Sequence, residues 1–269
     1  MQWRKHGCDS LIDIGSGSGD VLMDLVYPLL PQNFELLVGS DISEKMVSHA
    51  NQHYSDGKRI KFEVLDISSD EVPKQLVERF DHVTSFYCLH RVQKQLKMLE
   101  NIYQLLRKDG GDCLLVFPAT HLIVYDAYKS LAETSKWSIY MQDYGNFTSP
   151  YQNSVDPVAE FSQLLQQAGF ADYKVDIQTQ LYTFEGLKST RDFVKAVCPF
   201  MGRIPVELHE EFLDDFINDV ESRNPHRREN NSDNFIYPSS YKLLVAYVRK
   251  TDGILKSILS ERNQEKSIN

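Results

Sequence analysis

The sequence contains no run of about 18 apolar residues, and no apolar stretch follows its opening MQWRKHGCD. Neither a membrane-spanning helix nor a secretion signal is therefore expected. It contains no run of lysine and arginine, and 38 acidic against 29 basic residues leave a net charge of −9. Nucleic acid is excluded as a partner on this ground, because a polyanion is bound through a positive face that displaces its counterions. Cysteine is scarce. Cys8, Cys88, Cys113 and Cys198 are scattered, with no C-x-x-C pair and no histidine nearby at zinc spacing, so no metal ligands are assigned and reduced thiols in a cytoplasmic protein are expected. Internal repeats and low-complexity tracts are also missing. What remains is a chain of 269 residues, 42% of them hydrophobic, long enough for one large α/β core and suited to a small-molecule substrate.

Short segments rich in β-branched and aromatic residues alternate with stretches of helical period, the pattern of βαβ units and a parallel sheet. Strands are predicted at residues 10–14, 34–41, 60–66, 82–87 and 113–118, and helices at 20–30, 43–54 and 94–108. In the last of these, Leu96, Leu99, Ile102, Tyr103 and Leu106 trace an apolar stripe that ends at Gly110-Gly111. From His121 to Pro150 the pattern loosens into a stretch carrying Tyr125, Tyr128, Trp137, Tyr140, Tyr144 and Phe147, too long for a plain connection. A helical insertion over one edge of the sheet is expected, its aromatics either lining a substrate pocket with Phe117 or forming ordinary core. Asp156-Pro157 caps a further helix that Gly169 closes. Strands at 173–178 and 241–249 bracket a helix at 207–220, and the polar run from Asn224 is expected to be a mobile loop. Residues 251–269 form an extension with no assigned role.

The chemistry is carried by Asp13-Ile-Gly15-Ser16-Gly17-Ser-Gly19, directly after the first strand. Glycines there let backbone approach a ligand where a β-carbon would collide, and the N–H groups of a following helix N-terminus attract a negative group such as an amino-acid carboxylate. The pattern is G-x-G-x-G. Asp20 stands where a dinucleotide fingerprint would need glycine. Asp41 ends the second strand, where a carboxylate can accept both ribose hydroxyls of an adenosine, and Asp66 ends the third, suited to an adenine amino group. Either aspartate alone is equally well explained as a helix cap or turn residue. Three features at consecutive strand ends, in chain order, point to one crevice.

The segments DIGSGSG, LVGSDIS, FEVLDIS, FDHVTSFYCLH, NIYQLL and GGDCLLVF together resemble the insect juvenile hormone acid methyltransferases, and the likeness runs on to SYKLLVAYVRK. The resemblance implies a Rossmann-like class I methyltransferase domain over residues 1–250: a mostly parallel sheet of seven strands flanked by helices, with a helical insertion after the fifth. It implies S-adenosylmethionine as cofactor and methyl transfer to the carboxylate of farnesoic acid or juvenile hormone acid. Candidate cofactor contacts are Asp13, Gly15, Ser16, Gly17 and Gly19 in the turn, Asp41, Ile42 and Met46 after the second strand, Asp66 and Ile67 after the third, and Ser85 in the fourth. Two departures stand out. The family carries a segment ahead of its first strand, with a glutamine that helps hold the substrate carboxylate; here that strand begins close to Met1 and Gln2 does not match, so an incomplete reading frame is expected. The family's Leu-His-Trp after the fourth strand is Leu89-His90-Arg91 here, which makes His90 and Arg91 candidates for positioning an acid, Arg91 as a bidentate partner in place of the indole. Methylation of another small acid and a catalytically silent binding protein of the same fold are the competing readings.

Overall fold

The computed structural model describes residues 1, 3–4, 6–120, 122–223 and 236–251. Seven strands, β1 Ser10–Ile14, β2 Leu36–Asp41, β3 Ile60–Val64, β4 His82–Phe86, β5 Gly111–Thr120, β6 Asp172–Glu185 and β7 Ile236–Lys250, form one mixed sheet in the order β3-β2-β1-β4-β5-β7-β6. The pairings of β1 with β2 and β4, of β2 with β3 and of β4 with β5 are parallel. The α-helices are α1 Glu44–Tyr54, α2 Gln95–Leu105, α3 Leu122–Ala132, α4 Pro157–Gln167, α5 Leu187–Val197 and α6 His209–Ser222. Strand order reverses at β1, whose carboxyl end lies between those of β2 and β4, the place where open α/β sheets take ligands. All five residues of β1 are buried, as expected of a strand covered on both faces.

Local chemistry sets the element ends. Ser43 accepts the Met46 N–H at 3.4 Å and starts α1; Asp156 accepts the Ala159 N–H at 2.9 Å and starts α4, with Pro157 in the first turn. The stretch predicted as a helix at 20–30 is instead a run of wide π-helical turns, Leu22–Val26, followed by a 3-10 turn, Tyr27–Leu29. Pro28 has no N–H for the carbonyl four residues back and its ring would collide with that carbonyl, so the regular α-ladder cannot pass through it. Helix α5 was not expected, because its buried face is sparse, with Thr190 and Val194 its buried residues.

The chain forms two compact units. One comprises Met1–Phe117, Val155–Ile177 and Leu244–Asn269, the other Pro118–Ser154 and Gln178–Leu243. In the first, Leu11, Leu22, Val26, Phe34, Leu37, Val47, Ala50, Ile60 and Phe62 form one apolar cluster, and Phe117 packs edge-on against Phe161 at 5.4 Å between centroids. In the second, the aromatics of the insertion make a core. Tyr125, Tyr128 and Trp137 are buried with Phe200, Phe212 and Phe216; Trp137 meets Phe212 edge-on at 5.2 Å and gives its indole N–H to Asp215 at 2.9 Å. Of the two roles open to these aromatics, Tyr125, Tyr128, Trp137 and Phe117 take that of core. Among the described residues no helix is long and apolar enough to cross a membrane. The loop read from Asn224 and the extension beyond Thr251 lie outside the described residues.

Candidate active site

The turn after β1 is tied to β2 by main-chain bonds: Gly15 N–H and Ser16 N–H both reach the Ser40 carbonyl, at 2.7 and 2.8 Å. Ser40 Oγ gives its proton back to the Asp13 carbonyl at 3.0 Å. Gly15 has φ +75°, and a β-carbon there would stand 2.2 Å from Cys88 Sγ, so glycine is required on two counts. Gly17, at φ +56°, faces the opposite situation: a β-carbon would meet nothing within 4 Å. Gly19 N–H closes the turn onto the Ser16 carbonyl at 3.0 Å, and its open side is walled by the rings of Tyr54 and Phe62.

Asp41 is brought to the turn itself. Its Oδ2 accepts the Gly17 N–H at 3.0 Å and its Oδ1 the Ser43 N–H at 2.9 Å, so the carboxylate holds both the glycine turn and the start of α1. Each oxygen retains capacity for one more donor, as a pair of ribose hydroxyls would supply. Ile42 and Met46 flank it with 67% and 43% of their surface open, an apolar face for a flat base. Asp66 stands one strand over, two residues beyond Val64, which pairs with Asp41. It is exposed, and its Oδ1 accepts the N–H and Oγ–H of Ser68, both at 2.8 Å. Ile67 is buried, with its carbonyl taken by Asn101 at 2.8 Å. Ser85 lies wholly inside β4 and gives its hydroxyl to the Ile14 carbonyl at 2.8 Å, bracing the strand end that carries the turn.

After β4 the backbone swings through Tyr87, at φ +54°, and a 3-10 turn, Leu89–Arg91, follows. His90 is buried and Arg91 exposed. Arg91 N–H donates to the Cys88 carbonyl at 2.9 Å, and Cys88 in turn rests on Gly15. Burial, reinforced by the negative charges of Asp41 and Asp13, pushes the Cys88 thiol up to about 12, with the Arg91 cation acting the other way; Cys88 is therefore a space-filling thiol and not a nucleophile. Two contributors escaped the sequence reading. Thr84 donates to Asp13 at 2.6 Å, and Cys88 shapes Gly15; the one signal for them was a pair of hydroxyl residues, Thr84 and Ser85, within an otherwise apolar strand.

The arrangement fits an adenosyl amino acid. Ser16 Oγ is buried with no hydrogen-bond partner among the described residues, an uncommon state that a ligand's polar group would relieve. With the open space over Gly17 and the two-handed carboxylate of Asp41, the turn offers the Ser16 hydroxyl at one side and acceptors at the other. The strand order and this glycine turn with acids at the ends of β2 and β3 define a class I S-adenosylmethionine-dependent methyltransferase, and residues 12–111 match the family model described as a methyltransferase domain. S-adenosylmethionine is its methyl donor. The chain is 51% identical over its whole length to the juvenile hormone acid O-methyltransferase of Drosophila melanogaster, covering 91% of that protein, and 37% identical over 93% of its length to that of Bombyx mori, covering 88%. It belongs to the juvenile hormone acid O-methyltransferase family. The fold is shared with more distant solved structures at 16% identity: the YcgJ protein of Bacillus subtilis, TM-score 0.58 over 91% of this chain and 93% of that one, and phosphoethanolamine N-methyltransferase 2 of Haemonchus contortus, TM-score 0.52 over 91% and 50%.

Proposed function

We propose that this chain methylates the carboxylate of a sesquiterpenoid acid, farnesoic acid or juvenile hormone acid, to give the methyl ester. The reading is carried by the kinship to two insect enzymes named for that reaction over nearly the full chain. The bound cofactor supplies an electrophilic methyl group. The protein's remaining task is positioning, because a carboxylate with an ordinary pKa near 4 is already ionised at neutral pH and needs no base. Asp41 with Ile42 and Met46 holds the adenosine, Asp66 and Ile67 border the base, and Ser16, through its partnerless hydroxyl, takes the amino-acid end. Arg91, on the turn packed against Cys88 and Gly15, anchors the acid, with His90 shaping the wall behind it. A cytoplasmic setting belongs to the same reading, in keeping with four scattered cysteines that lack any C-x-x-C pair.

Transfer of labelled methyl to farnesoic acid tests the proposal. Arg91→Ala should raise KM for the acid about tenfold through loss of a charge-assisted pair, with a smaller change in kcat. Absence of labelled ester with both acids would discard the substrate class, and an unchanged KM in Arg91→Ala would discard the anchor.

A further inference from the structure

The turn that carries His90 and Arg91 is held from outside as well as from within. Inside it, Arg91 N–H reaches the Cys88 carbonyl at 2.9 Å and Val92 N–H the Leu89 carbonyl at 3.2 Å. From outside comes Gln95, the first residue of α2, whose Nε2 donates to the Leu89 carbonyl at 2.9 Å and to the Val92 carbonyl at 2.6 Å. These two carbonyls stand on either side of His90-Arg91. Gln95 is buried, and a carboxamide nitrogen carries two hydrogens, one for each acceptor. Its reach follows from its place in the chain: helical side chains lean toward the helix N-terminus, so a long one at the first position covers the residues just before it. The base from which it reaches is packed, since Met98, Leu99, Ile102 and Leu105 of α2 are wholly buried. Asn101 of the same helix makes the same use of its amide on another loop. It is wholly buried, and its Nδ2 donates to the carbonyls of Ile67 and Ser69, both at 2.8 Å.

We propose that Gln95 is a positioning residue for the acceptor acid: by holding the carbonyls on both sides of His90-Arg91, its carboxamide fixes the backbone from which the Arg91 guanidinium meets the acid. This deepens the reading of Arg91 as the acid's anchor and rests on it. A guanidinium grips a carboxylate best through two parallel N–H···O bonds, a geometry that tolerates little angular error. A turn that had to be ordered when the acid arrives would lose affinity to that ordering, whereas one already tied to a packed helix does not. Being neutral, Gln95 does this without bringing a charge that would compete with the acid for Arg91.

Calorimetry on the full chain saturated with S-adenosylhomocysteine reads the Kd of farnesoic acid without turnover, and titration with S-adenosylhomocysteine alone reads the Kd of the methyl-transfer product. Gln95→Met should weaken farnesoic acid about fivefold by freeing the turn, against about tenfold for Arg91→Ala, and should leave the S-adenosylhomocysteine Kd within about twofold. In the Arg91→Ala background Gln95→Met should add less than about twofold, because residues that act through one contact are not additive. Asn101→Leu removes the same two bonds from α2 to the other loop and should leave the acid's Kd within about twofold. Should Gln95→Met fail to fold, Gln95→Asn, which keeps the amide on a chain one carbon shorter, is read in its place and should show the same selective loss. Equal weakening of the acid by the Gln95 and Asn101 variants, or a full effect of Gln95→Met without the Arg91 side chain, makes Gln95 a purely structural residue and overturns the proposal. An unchanged acid Kd in Gln95→Met beside a weakened one in Arg91→Ala overturns it too and leaves the anchor standing. An unchanged acid Kd in Arg91→Ala removes the anchor, and the proposal with it.

Discussion

The two ends of the sheet use the same residue types to opposite effect. At the amino edge the acids are saturated. Asp81 accepts the Ser10 N–H at 2.9 Å and Arg107 Nε–H at 3.1 Å through one oxygen and pairs with Arg4 through the other. His82 lies between Asp112, 2.6 Å from Nδ1, and Asp9, 3.3 Å from Nε2, with Trp3 edge-on at 4.4 Å, and Asp112 also accepts the Tyr247 hydroxyl at 2.9 Å. Lys250 gives its ammonium to the carbonyls of Tyr103 and Leu106 at the end of α2. At the carboxyl edge the polar groups are left short among the described residues: Asp13 has one donor, Ser16 Oγ has none, and Asp41 keeps two acceptor positions open. The acids at the amino edge have their capacity taken up by the fold itself, whereas the groups at the glycine turn keep capacity that a ligand would use.

The largest effect that separates the ends is expected from Asp81→Ala, which leaves a buried N–H and two arginines without their acceptor. Urea unfolding should show a loss of about 3 kcal/mol while affinity for S-adenosylmethionine stays within about twofold; a parallel fall in affinity would break the distinction. Next comes a contrast within the turn. Gly15→Ala drives a β-carbon into Cys88 and forces φ +75° on alanine, and should cost about 2 kcal/mol of stability together with cofactor binding. Gly17→Ala meets no protein atom. It should cost only about 1 kcal/mol of stability yet still lower cofactor affinity, because its open space is the ligand's; retained affinity in Gly17→Ala would move the cofactor off the turn. The smallest effect is that of Asp41→Ala, about tenfold in cofactor affinity measured by calorimetry, with a stability change near 1 kcal/mol for the two backbone donors released.

The glycine turn and Asp41 were legible because their neighbourhood is enforced locally. A buried apolar run must end in a turn, glycine takes the positive φ found at Gly15 and Gly17 without steric cost, and parallel pairing sets Asp41 beside that turn. The caps at Ser43 and Asp156 were legible for the same reason. Asp66 lies two residues past the end of β3, and Ile42 and Met46 stand beside Asp41, but Ser85 and Ile67 are buried. That distinction needs the register of β4 against β1 and the packing of α2, neither of which has a local signature.

Sequence alone determined the order of the strands and of most helices, the glycine turn and the acids at the strand ends, since each follows from the period of apolar residues and the conformational limits of glycine, proline and capping side chains. Tertiary structure alone decided which of the many aspartates are saturated and which are left wanting, that Thr84 supports Asp13, that Cys88 fills the space behind Gly15, and that Trp137 and Tyr128 are core. Those outcomes depend on partners far away in the chain, 71 positions for Thr84 and Asp13 and 135 for Tyr247 and Asp112, and hydrogen-bond saturation and burial come into being only when such distant segments meet.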